Sequence, residues 1–106
     1  MSLTINFIKE QIEKQLYTLS LHADEERIAD KLSINELENI LVNCKIIEEY
    51  PTDPRGESCL VVGILENNIP VHVVCGKNRN GNLVIITVYL PKMPKWLTPY
   101  QRSRGE

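Results

Sequence analysis

The stretch that decides the fold is Ser58–Leu90, SCLVVGILENNIPVHVVCGKNRNGNLVIITVYL. It divides into three β-rich runs, Ser58–Glu66, Ile69–Lys77 and Leu83–Leu90, separated by Asn67-Asn68 and by a turn centred on Asn80-Gly81. β-Branched residues dominate the runs, as a half-buried pleated surface favours. Asn and Gly tolerate the positive φ of tight hairpins, so the runs read as an antiparallel meander. A two-residue loop at Asn67-Asn68 sets Ile64 opposite Val71 and Val62 opposite Val73. Alternation then predicts an apolar core face of Leu60, Val62, Ile64, Val71, Val73, Cys75, Val84, Ile86 and Val88. The opposite face collects Cys59, Val61, Gly63, His72, Val74, Ile85, Thr87 and Tyr89. Its polar-tipped groups, His72, Thr87 and Tyr89, then share one surface.

Upstream, Ile5, Ile8, Ile12 and Leu16 recur at helical spacing and predict an amphipathic helix over 3–17. Thr18-Leu19-Ser20-Leu21 is a short link. His22–Lys31 reads as a second helix, acidic near its start as the helix dipole prefers. Ser33-Ile34-Asn35-Glu36 is a capping box that opens a third, with Leu37, Ile40 and Leu41 inward. Lys45–Tyr50 (KIIEEY) reads as an edge strand, and Pro51–Gly56 as a turn-rich loop. Downstream, Pro91, Pro94 and Pro99 argue against regular structure. Helices followed by strands are an α+β order. The expectation is two to three N-terminal helices packed on one face of a three- to four-stranded curved antiparallel sheet. A single domain spans 1–106, with helices over 3–43, sheet over 45–90 and a proline-rich basic tail over 91–106.

A chain of 106 residues buries enough surface to fold without staples. No apolar run approaches a membrane span and no signal-peptide pattern opens the chain. Cys44, Cys59 and Cys75 lack CxxC spacing, and read as reduced thiols of a cytoplasmic protein with neither zinc nor disulfides. The net charge of −2 hides an asymmetry. Residues 1–57 hold six Lys/Arg against twelve Asp/Glu; residues 58–106 hold six against two. The sheet-and-tail half is therefore basic, which attracts phosphates or reflects a solvated tail.

Four motifs occur in order: LHADEERI (Leu21–Ile28), YPTDPRGESCL (Tyr50–Leu60), PVHVV (Pro70–Val74) and IITVYLP (Ile85–Pro91). Together they resemble the bacterial family catalogued as domain of unknown function 4258. The resemblance implies a small toxin-like domain, often encoded beside a YgiT-type zinc-finger antitoxin and similar to the MqsR class of messenger-RNA interferases. The implied fold is RelE/barnase-like. MqsR-type enzymes lean on Lys, Gln and Tyr, whereas this sheet offers His72, Thr87 and Tyr89.

Metal-independent RNA cleavage by 2′-OH attack needs a base, an acid and cations around the phosphorus. His72 suits acid or base work because an imidazole titrates near neutrality; the alternative is a strand histidine bonded to a neighbour. His22 would supply the second proton-transfer group, or would merely serve its helix N-terminus. Arg55, in a Pro-Arg-Gly turn, offers a bidentate fork to the phosphorane or simply meets solvent. Tyr89 would position substrate or cover the sheet. Arg27, Glu57, Thr87, Lys92 and Trp96 are candidate substrate-binding residues. Against this, Arg27 has Asp24 at ion-pair spacing, Glu57 has the ordinary role of a surface carboxylate, and Trp96 that of an apolar plug. Lys95, Arg102 and Arg104 add positive charge to the tail. No metal-ligand spacing or phosphate loop occurs, so no cofactor is expected. The expected function is a toxin-type endoribonuclease with RNA as substrate and a cognate antitoxin as partner. The alternative is a non-catalytic domain that binds protein or RNA.

Overall fold

Two hairpin loops determine which side chains face the helices. The computed structural model describes residues 3–54, 56–91 and 99–100, and the backbone of 96–98 and 101–102. Strands β3 (Ser58–Ile64) and β4 (Pro70–Lys77) pair antiparallel, with Ile64 opposite Pro70 and Cys59 opposite Cys75. The Leu65 N–H donates to the Ile69 carbonyl and the Asn68 N–H to the Leu65 carbonyl, both at 2.9 Å, and Asn68 takes φ 65°. This is a three-residue loop closed by a left-handed residue, not the two-residue turn expected at Asn67-Asn68. One extra loop residue shifts the pairing by one and turns every β3 side chain over. Cys59, Val61 and Gly63 therefore face the helices beside Val71, Val73 and Cys75, while Leu60, Val62 and Ile64 lie on the far face.

The second loop repeats the device: Asn78 donates to Asn82 at 2.9 Å, and Gly81, at φ 81°, donates to Asn78 at 3.0 Å. Strand β5 (Leu83–Tyr89) then pairs with β4 through Cys75↔Ile85, Val74↔Thr87 and His72↔Tyr89, with a register shift between Val74 and Cys75. The extra residue of this bulge is Ile86, and it breaks strict alternation. Leu83, Ile85 and Val88 are buried among the helices. Val84 and Ile86, expected in the core, lie on the far face with Thr87 and Tyr89.

The expected antiparallel sheet of three to four strands is corrected to five strands of mixed direction. Strand β2 (Lys45–Tyr50) forms one edge against β3, as read from the sequence. At the other edge β1 (Thr18–Leu19) runs parallel to β5, Thr18 opposite Val84, giving the order β1-β5-β4-β3-β2. Two residues carry no periodicity, so the sequence read them only as a link. Among the described residues the tail also forms a hairpin, β6 (Trp96–Thr98) with β7 (Gln101–Arg102). Pro99 sits in its turn, where a missing N–H is harmless, so three prolines did not exclude regular structure here.

Helix α1 (Ile5–Glu13) is capped by Thr4, α2 (Leu21–Ala29) by Ser20, and α3 (Ile34–Leu41) by the Ser33–Glu36 capping box. α1 stops short of residue 17: Gln15 turns to φ 56°, leaving Leu16 exposed. The helices bury Ile8, Ile12, Leu37, Ile40 and Leu41 against the inward face of β3–β5. α3 rests directly on β3 because position 63 is glycine. A Cβ there would lie 2.5 Å from the Ile40 Cβ. Two side chains satisfy strand N–H groups of β5: buried Gln11 accepts from Leu83 at 2.8 Å, and Glu26 from Val88 at 2.9 Å. No helix among the described residues is long and apolar enough to cross a membrane.

Candidate functional site

The far face of the sheet brings His72 and Tyr89 together. They are cross-strand partners, with the Tyr89 hydroxyl 3.0 Å from His72 Nδ1 and the rings edge to face at a centroid separation of 5.1 Å. His72 Nε2 lies 2.6 Å from the Pro99 carbonyl oxygen. A carbonyl only accepts, so Nε2 bears the hydrogen, and in the neutral ring the Nδ1 lone pair receives the Tyr89 O–H. His72 is 0% exposed, and Leu60 and Val62 beside it on the same face are buried at 1% and 3%. This face, expected to be either open or covered only by the tail, is thus dry at this point. The Pro99 carbonyl that meets the imidazole lies 27 residues along the chain.

His22 lies elsewhere. It sits in the first turn of α2, its side chain 66% exposed, with Nε2 3.3 Å from Glu26 of the same helix. Nothing brings it to the buried His72. Arg27 is a clamp: Nε and Nη2 reach Asp24 Oδ1 at 3.0 and 2.7 Å, and Nη1 donates to the Leu32 carbonyl at 3.0 Å, closing the α2–α3 link.

Glu57 and Thr87 both line a cleft of about 560 Å³ that also has Tyr50, Asp53, Ser58 and Lys77 on its walls. Lys77 holds its ammonium 4.6 Å from the Phe7 ring centroid. Gly76 keeps the floor open, since a Cβ there would lie 2.9 Å from Ile86 Cδ1. Arg55 and Lys92 lie outside the described residues, as do Lys95, Arg104 and the side chains of Trp96 and Arg102.

The cysteines are core residues. Cys59, expected on the far face, is 0% exposed and stands opposite Cys75. The Cys59 thiol contact and burial push Cys75 well up, while the same contact lowers Cys59. Burial pushes Cys44 up to about 12. Among the described residues no cluster of three His, Cys, Asp or Glu is placed to hold a metal ion.

The sequence reading also missed two features. The Tyr17 hydroxyl donates to Glu38 at 2.6 Å, tying the segment after α1 to α3. A hollow of about 560 Å³ lies between α3 and the β3–β4 loop, lined by Glu36, Asn39, Ile40, Asn43 and residues 64–67. Reading Ile64 as a core residue concealed it.

The family described as Domain of unknown function (DUF4258) matches residues 19–90. No curated protein and no solved structure matches the chain.

Proposed function

The chain belongs to the Domain of unknown function (DUF4258) family, and from that premise and the site geometry we propose that it works as a non-catalytic interaction domain. The observation that carries this reading is His72. It is fully buried, and both of its ring nitrogens are engaged, by Tyr89 and by Pro99. An acid or base must reach the proton it moves, and this imidazole instead fastens the tail to the sheet. His22 and Arg27 serve α2 and its exit.

A specific observation favours the second reading, a toxin-type metal-independent endoribonuclease. An imidazole and a phenol do lie 3.0 Å apart on the strand face away from the helices, in the half of the chain that is net basic. Under that reading the fold would be RelE/barnase-like, RNA the substrate and a YgiT-type zinc-finger protein the antitoxin. The Pro99 carbonyl would have to leave Nε2 before substrate could enter.

Incubating the purified chain with bulk RNA in EDTA, followed by end-group analysis, separates the two. The interaction reading expects intact RNA. Fragments ending in 2′,3′-cyclic phosphate, lost in a folded His72→Ala variant, would overturn it in favour of the nuclease.

A further inference from the structure

The hollow beside α3 is one part of a longer trough. A second depression of about 160 Å³ adjoins it and shares Glu36, Leu65 and Asn67 with it. The floor is apolar, built from Ile40 and Leu65 at one end and Leu32 and Val88 at the other. On either side of the loop, Ile64 and Ile69 remain 43% and 40% exposed, apolar surface that the fold does not cover itself. The loop is preformed, held by the Leu65–Ile69 and Leu65–Asn68 hydrogen bonds. The charged lining is Asp30, Glu36 and Glu66 against Lys31 alone. Carboxylates over an apolar floor repel a phosphate backbone and attract a cationic chain that brings its own apolar anchor.

We infer that this trough docks a short basic segment of a partner protein, with an apolar side chain of that segment seated between Ile64 and Ile40. The inference rests on the interaction-domain reading and names the chemistry of the partner.

The test uses the full chain and a fluorescein-labelled synthetic dodecapeptide of alternating Arg and Leu pairs. Anisotropy should give a dissociation constant of about micromolar order, and amide shifts should fall on residues 36–43 and 64–69. Asp30→Lys with Glu66→Lys should weaken binding about tenfold, as should Ile64→Asp. Asp30 and Glu66 are exposed, and circular dichroism with a melting curve confirms that each variant is folded. A matched peptide with Glu in place of Arg should not bind. Absent binding, binding that both variants leave unchanged, or shifts confined to other residues would overturn the trough assignment. That result together with uncleaved RNA removes the trough alone, whereas cleaved RNA removes the interaction reading itself.

Discussion

His72→Ala removes a buried ring and two hydrogen bonds in one substitution. The expected loss of stability is about 2–4 kcal/mol, from the lost contacts and the void together, and urea unfolding would measure it. A variant as stable as the parent would mean that the imidazole does not fasten the tail. Tyr17 offers a second test at this scale. Burial first, and the Glu38 carboxylate next, raise its pKa from 10.0 to about 12. The folded value lies above the unfolded one. Its contribution is therefore complete below pH 10 and disappears as pH climbs through about 12. Melting temperatures taken across that alkaline window should fall more steeply for the parent than for Tyr17→Phe. The pairing of His72 with Tyr89 on one surface was legible in the sequence, because period-two alternation along β4 and the end of β5 needs no long-range information. Whether the tail covers that surface or leaves it open was not decided by local pattern, because the Pro99 carbonyl that meets the imidazole belongs to a distant segment.

Elements differ in how well local pattern specifies them. β4 was assigned to the correct faces throughout, while β3 was inverted as a unit. The reason is one residue: Asn67-Asn68 fits a two-residue turn, but Asn68 instead occupies the third position of a longer loop, at φ 65°. Deleting Asn67 leaves Glu66 and Asn68 as a two-residue loop between the same Leu65–Ile69 pair, so β3 should keep its register with Val61 and Cys59 still inward. A cooperative thermal transition with a lowered midpoint is the expected outcome, whereas a non-cooperative melt would mean that the pairing had slipped by one residue and moved a whole hydrophobic set to the wrong side. In β5 the bulge at Ile86 defeated strict alternation, and no turn residue marks it. Gly63→Ala tests the contact between α3 and β3. With Ile40 Cβ at 2.5 Å and its carbonyl oxygen at 3.0 Å, backbone must move. The substitution should destabilise by about 1–3 kcal/mol, measured by denaturant midpoint, and Gly56→Ala, with no neighbour within 4 Å but φ 118°, should act through backbone strain alone.

Across the whole molecule, the α+β class and the helix-then-strand order followed from sequence because amphipathic period and capping chemistry are local. The mixed sheet did not, because a two-residue parallel strand earns its place only from β5. That pairing, Thr18 opposite Val84 and Leu19 opposite Ile85, has a consequence for synthesis. A nascent chain emerging from the ribosome presents α1, β1 and all of α2 and α3 before any of their sheet exists. The N-terminal part must wait, its apolar stripes unshielded, until residues 83–89 have left the exit tunnel. A fragment ending at residue 57 should accordingly show no cooperative melting, and a chaperone that shelters apolar helices would meet this protein early in its translation.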